Sequence, residues 1–274
     1  MAQKKIVITG VNGLVGNCIY QHLSRKPEAY DLLGMDRSRQ PSERLGKDEA
    51  VEVDESQFTQ SDLSDVNTLT QTFEGMDTIV HMAADPDDQA PWENTLKNNI
   101  EATYHMFEAA KRANVRRVIY ASSIQVSFGY FRQVEPYKRL YKEDYDHFPK
   151  SWELITIREP TCPVNFYGTS KVFGETLARM YSSTSELSCI CIRMGGVHPH
   201  DKPPGQVLPN ACTQNDMVRL VELCIEAPDT IKFETLYGLS NTDFRWVDLE
   251  HSKQAVGYIP EDSIRFEDHR VSDD

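Results

Sequence analysis

Residues 5–16 read KIVITGVNGLVG: an apolar run, then Gly10, Gly13 and Gly16 three apart, with Leu14 opening an amphipathic stretch. The run predicts a buried strand over 5–9, and Leu14, Cys18, Ile19 and Leu23 recur at helical spacing and predict a helix over 14–23. Each glycine between them has a separate task. Gly10 permits a sharp turn out of the strand, Gly13 lets backbone approach a pyrophosphate, and Gly16 lets the helix pack close on the sheet. The helix N-terminus, with Asn12, Leu14 and Val15 in the same turn, then offers free N–H groups and a positive dipole end to phosphates. After a strand and before a helix, the triplet predicts a dinucleotide-binding unit.

Outward from this unit, short apolar runs continue to alternate with amphipathic stretches. Strands are predicted over 31–35, 51–60, 77–82, 117–121, 188–193 and 230–239. Helices are predicted over 66–73, 92–113, 167–181, 217–225 and 247–256. Such alternation predicts an α/β fold, a Rossmann-like doubly wound parallel sheet with a small C-terminal substrate-binding cap. Residues 1–190 are assigned to cofactor binding and catalysis, and 191–274 to an interleaved substrate-binding portion. Residues 37–50 read as a polar loop and 127–165 as an elaborated loop near the substrate, while the acidic tail 267–274 is expected to fray.

The chain has 274 residues, a net charge of −13 and 39% hydrophobic residues, enough for one sizeable core. The negative field argues against nucleic acid and anionic membranes as partners. No stretch is apolar enough to span a bilayer, and the N-terminus carries no secretory h-region. Cys18, Cys162, Cys189, Cys191, Cys212 and Cys224 form no C-x-x-C pair and read as free thiols, so a cytoplasmic location is expected.

Two further features bear on chemistry. Asp36 ends the second strand, where a carboxylate accepts both adenosine ribose hydroxyls and favours NAD over NADP, although Arg37 beside it softens that preference. Residues 167–171 read YGTSK, placing Tyr167 and Lys171 one helical turn apart on one face. A lysine cation there favours the tyrosine phenolate, making Tyr167 a general base, and it also reaches a nicotinamide ribose. Ser122 and Ser123 follow the fifth strand, at the sheet edge where doubly wound folds bind ligands, so a serine hydroxyl there can bond the reacting oxygen. His198, Pro199, His200 and Asp201 read as a substrate-covering loop, and no metal is expected.

On these residues the chain resembles the extended short-chain dehydrogenase/reductases, within the NAD-dependent epimerase/dehydratase family, over nearly its whole length. The resemblance rests on TGVNGLVG (9–16), Asp36, Asp62-Leu63, HMAA (81–84), Asn99, Ser122-Ser123 and YGTSK. It implies that Asp62 and Leu63 meet the adenine, that Met82, Ala83 and Ala84 line the pyrophosphate side, that Asn99 lies behind the site, and that Met194 also contacts the cofactor. Ser123 falls in the position of the catalytic serine. Within the family the chain looks most like uronate dehydrogenases and haloarchaeal-type glucose-6-phosphate dehydrogenases, through APWENTLKNNIEATYHMFEAAK, YGTSKVFGETLARMY, CIRMGG and VGYIPED.

The activity so implied is NAD-dependent oxidation of a monosaccharide (a uronic acid, aldose or sugar phosphate) at the anomeric carbon to a lactone, by a homodimer. Substrate contacts are expected from Ser123, Gln125, Gly196, His198 and Gln206. Ile124 and Gln125 depart from the Asn-His pair that follows the serine in those enzymes, and Gln206 stands where uronate dehydrogenases carry an arginine. Arg132, Lys138, Arg139 and Arg158 are other basic groups that could meet an anionic sugar. A nucleotide-sugar epimerase or dehydratase shares the cofactor motifs and is the alternative, although the stretch after Lys171 is short for gripping a nucleotide diphosphate. A non-catalytic dinucleotide sensor is a second alternative.

Overall fold

A computed structural model describes residues 3–45 and 50–266, apart from the side chains of residues 205 and 206. The tail 267–274, expected to fray, lies outside the described residues. In chain order the elements begin with β1 (Lys4–Thr9), α1 (Leu14–Ser24), β2 (Tyr30–Asp36), β3 (Phe58–Gln60), α2 (Val66–Phe73) and β4 (Thr78–His81). Then α3 (Trp92–Thr95) runs through a π-helical turn (Leu96–Glu101) into α4 (Ala102–Arg112). There follow β5 (Arg117–Ser123), α5 (Phe128–Gln133), α6 (Tyr137–Tyr141), α7 (Phe166–Thr184), β6 (Ser188–Met194) and α8 (Gln214–Glu226). The chain closes with β7 (Phe233–Gly238), β8 (Asn241–Thr242), α9 (Glu250–Val256) and β9 (Ser263–Ile264).

One seven-stranded sheet runs β3-β2-β1-β4-β5-β6-β7, and every pairing in it is parallel. Strand order reverses between β1 and β4, where a doubly wound sheet opens its ligand crevice. The strands are near-continuously apolar because both faces are covered. Alternation along them feeds two cores. Ile6, Ile8, Val80, Ile119, Ile190 and Ile192 face one way, with Ile19 and Leu23 of α1 and Leu220 and Val221 of α8. Val7, Ile79, Val118, Cys189 and Cys191 face the other, with Phe73 of α2, Phe107 of α4 and Ala178 of α7.

Three expectations change. The strand expected over 51–60 shrinks to β3, because Asp54 accepts the Ser56 amide at 2.9 Å and starts a 3-10 turn. Segment 127–165 is not simply a loop: it contains α5 and α6, whose Phe131 stacks on Trp246 at 5.2 Å, and Tyr137 lies 6.0 Å from the same ring. Ile155 also forms a bridge with Val247. These contacts clamp the segment to the chain before α9. The small β8–β9 pair was not anticipated either. Among the described residues no helix is long and apolar enough to cross a membrane.

Candidate active site

The β1–α1 turn opens onto a cavity of about 1010 Å³, room for a dinucleotide and a small substrate together. The backbone dictates two of its glycines. Gly10 has φ +71°, and a Cβ there would stand 2.7 Å from the Ala83 nitrogen, so the β4 end passes too close for a side chain. A Cβ on Gly16 would stand 2.1 Å from the Gly10 carbonyl oxygen. Gly13 is the α1 N-cap, and no side chain caps the first-turn amides, which remain available to an anion at the helix end. Leu14 and Val15 line the same wall.

Asp36 is held at the cavity rim. Its Oδ2 accepts the Asn12 amide at 3.0 Å and its Oδ1 the Ser38 amide at 3.4 Å. Asn12 also donates through its side chain to the Ser38 carbonyl at 2.6 Å. Arg37, Asp62, Leu63, Met82, Ala83 and Ala84 line the adjoining surface. Asn99 does not reach the cavity, where its neighbour Asn98 appears instead. Buried in the π-helical turn, Asn99 accepts the Asp85 amide at 2.7 Å and donates to the Asp85 carbonyl at 3.0 Å, so it holds the loop after Ala84.

At the other end of the cavity, Ser123 closes β5 and its Oγ accepts the Gln125 amide at 3.2 Å. Tyr167, in the first turn of α7, lines the same cavity as Ser123, and the Ser123 side chain favours its phenolate. Asn165 caps that helix by accepting the Gly168 amide at 2.7 Å, and donates to Gln125 Oε1 at 2.6 Å. The serine turn and the tyrosine helix are thereby stapled together. Lys171 lies one turn further, its Nζ 5.5 Å from the Tyr167 ring centroid and 5.3 Å from that of Tyr120.

Burial governs the electrostatics here. It pulls Lys171 down to about 7 and raises Tyr167, against the opposing pull of the Ser123 side chain and the Arg44 charge, while Asp88 and Asp85 raise it further. The expected lowering of Tyr167 by Lys171 does not decide its position: burial dominates and raises it, because desolvation disfavours the charged forms of both groups. His81 is also sealed in. Its Nδ1 bonds Thr9 Oγ1 at 2.8 Å, its Nε2 finds no partner, and burial, with Lys171 nearby, lowers it to about 3.

Behind the serine lies a buried polar network. Glu175, one turn beyond Lys171, accepts Ser122 Oγ at 2.6 Å and both arms of Arg193 at 2.9 Å each. Arg193 continues to the Tyr237 hydroxyl at 3.2 Å, which bonds Ser127 at 2.7 Å. This lattice joins β5, α7, β6 and β7 beneath the cavity floor.

Met194, Gly196 and His198 line the cavity after β6. Gly196 is anchored by its amide, which donates to the Asn210 carbonyl at 2.8 Å. Burial, then the Arg44 charge, lowers the His198 imidazole. The Gln206 side chain lies outside the described residues. Among the described residues no group of three or more His, Cys, Asp or Glu is arranged to hold a metal. Two arginines that lacked a definite place also line the cavity. Arg44 comes from the polar segment 37–50, where nothing in the spacing marks it, and Arg132 comes from α5.

Residues 6–223 match the model of the NAD dependent epimerase/dehydratase family. The chain is 29% identical to an NAD-dependent glucose-6-phosphate dehydrogenase of Haloferax volcanii, over 94% of this chain and 93% of that protein. It is 27% identical to an L-arabinose 1-dehydrogenase (NAD(P)(+)) of the same organism, over 94% of this chain and 97% of the relative. A uronate dehydrogenase variant from Agrobacterium tumefaciens, solved in complex with NAD, superposes with a TM-score of 0.73 at 26% identity, covering 98% of this chain and 88% of that one.

Proposed function

We propose that this chain, which belongs to the NAD dependent epimerase/dehydratase family, is an NAD-dependent sugar dehydrogenase that oxidises a monosaccharide at its anomeric carbon to a lactone. The substrate is a uronic acid, an aldose or a sugar phosphate, the range spanned by the similar dehydrogenases. The observation that carries this reading is that Ser123, Tyr167 and Lys171 line the one cavity that also holds the glycine turn, with Lys171 Nζ 5.5 Å from the Tyr167 ring centroid.

The residues present fit NAD. The close-packed glycine turn leaves helix amides free, and Asp36 stands fixed at the rim for the ribose hydroxyls. Bound there, NAD supplies a hydride acceptor. Lys171 holds the nicotinamide ribose and, as a cation, favours the Tyr167 phenolate. Ser123 orients the anomeric hydroxyl, and Tyr167 takes its proton as the carbon–oxygen double bond forms. Gln125, Gly196, His198 and Gln206 are the proposed substrate contacts. In this reading residues 1–190 bind the cofactor and carry the catalytic side chains. Residues 191–274, with 127–165, cover the substrate.

The same reading includes a homodimer. Trp92, Tyr104, Phe166 and Met180 on α3, α4 and α7 are 42%, 44%, 52% and 43% exposed, a high exposure for large apolar groups on adjacent helices. Free cysteines throughout support a reducing, cytoplasmic location. A panel of aldoses, uronic acids and sugar phosphates, read by NADH absorbance, tests the function. Net NADH with at least one sugar supports it. A nucleotide-sugar epimerase would recycle its cofactor and accumulate none.

A further inference from the structure

Six lysines and arginines lie in the segment between the catalytic serine and the catalytic helix, and one of them, Arg132, lines the cavity; Lys138, Arg139, Lys142, Lys150 and Arg158 do not. Arg139 is engaged elsewhere, with Glu135 at 3.3 Å and Asp144 at 2.9 Å. Arg132 is set in an aromatic slot. Its guanidinium lies 5.1 Å from the Tyr141 ring centroid and 5.9 Å from that of Phe128, contacts that fix the plane of the fork. Phe128 is four residues earlier on the same helix, so the side chain runs back along α5 toward the Ser123 turn, as helical side chains do.

The fork itself is under-used. Its Nε is buried without a hydrogen-bond partner. The carboxylate nearest to it, on Asp88, stands 4.0 Å from Nη2, beyond hydrogen-bonding distance. A buried guanidinium N–H with no acceptor is costly unless a ligand supplies one. A second cation, Arg44, enters the same cavity from the β2 side, and its charge is felt at both Tyr167 and His198. Both arginines sit in a cavity that also carries Asp85 and Asp88, so an anion there depends on direct contact with a guanidinium and not on a general positive field.

We propose that Arg132 is the specificity-determining residue of this site, reading an anionic group, phosphate or carboxylate, on the sugar whose anomeric carbon faces Tyr167, with Arg44 as a second cation in the cavity. The inference rests on the sugar dehydrogenase reading and deepens it from "a monosaccharide" to "an acidic monosaccharide". Planar bidentate capture suits both anions and discriminates against a neutral hydroxymethyl group.

The test uses glucose, galactose, their 6-phosphates and their uronic acids, on wild type, Arg132→Met and the control Arg139→Met. Two readouts are taken: kcat/KM with NAD, and calorimetric binding to the protein–NADH complex. Wild type should prefer one class of acid over the neutral hexose, and the preferred class identifies the anion. In Arg132→Met that preference should fall about 10–100-fold, and in Arg139→Met it should persist. A ratio within one variant does not depend on how much of the protein is folded. If the acids bind through Arg132 but no NADH forms, the dehydrogenase reading fails and the anion site stands. If NADH forms but neutral hexoses serve as well as both acids, or the Arg132→Met preference equals that of wild type, the anion site is overturned. Absence of acid binding in wild type overturns it as well.

Discussion

Arg193 forks onto both carboxylate oxygens of Glu175 at 2.9 Å each, with both side chains sealed inside the protein. The pair lies directly beneath the serine turn, since Glu175 also accepts Ser122 Oγ at 2.6 Å. Burial opposes the Arg193 cation, and the hydrogen bonds and charge of Glu175 overcome it, so the guanidinium is held above its usual range. Removing one partner leaves the other charge buried and alone. Glu175→Gln should therefore cost about 3–5 kcal/mol of stability, read as a lower midpoint in urea denaturation. A loss below about 0.5 kcal/mol, the size of a surface change, would mean that the network contributes little.

The glycine turn makes a prediction about the cofactor. Gly10→Ala puts a methyl 2.7 Å from the Ala83 nitrogen at φ +71°. Strain of about 1–3 kcal/mol follows, so NADH affinity should drop by about 5- to 150-fold. Fluorescence titration of NADH against wild type and Gly10→Ala reads this directly. Equal affinities would remove the turn from cofactor binding.

His81 predicts a pH dependence of stability. Its folded value is about 3, against 6.5 for an ordinary imidazole, so between these limits the unfolded chain binds the extra proton. Its contribution is therefore fully present above 6.5 and is lost as pH falls toward 3. Between pH 7 and pH 5 the loss should be about 2 kcal/mol. Urea denaturation at the two pH values should show it in wild type, and His81→Gln should show a correspondingly smaller difference. Parallel pH profiles for the two proteins would contradict the assignment.

The exposed seam predicts an assembly. Trp92 and Phe166 meet edge to face at 5.4 Å on the outer surface, and Tyr104 and Met180 are exposed further along α4 and α7. Light scattering after gel filtration should give twice the chain mass for wild type. Phe166→Glu with Met180→Glu should shift it toward the monomer. A monomeric wild type would leave this patch without the proposed partner.

The fold was legible in the sequence wherever the pattern was long and both faces of a strand were apolar. The glycine turn, α2, the sheet strands around it and the tyrosine helix fall where residues 5–16, 66–73 and 167–171 put them. What escaped was short or contextual. Helices α5 and α6 span six and five residues, too few for a helical period, and they depend on Trp246, a hundred positions away in the chain. Arg44 and Arg132 look like any other basic residues until the fold brings both to one cavity. Asn99, which the family resemblance put behind the site, lies off the cavity lining and holds the loop after Ala84 through Asp85. The electrostatic sign at Tyr167 was illegible for a similar reason, since burial is set by the whole packing and not by the Y-x-x-x-K spacing.

The central claim is that Tyr167 takes the sugar's proton while Ser123 and Lys171 hold the geometry. The most direct measurement is NADH formation by Tyr167→Phe on the best sugar of the panel, with NADH binding measured on the same sample. Turnover should fall by at least about a hundredfold, the worth of a positioned general base, while NADH binds nearly as before. Turnover near the wild-type rate, with the cofactor bound, would contradict the account.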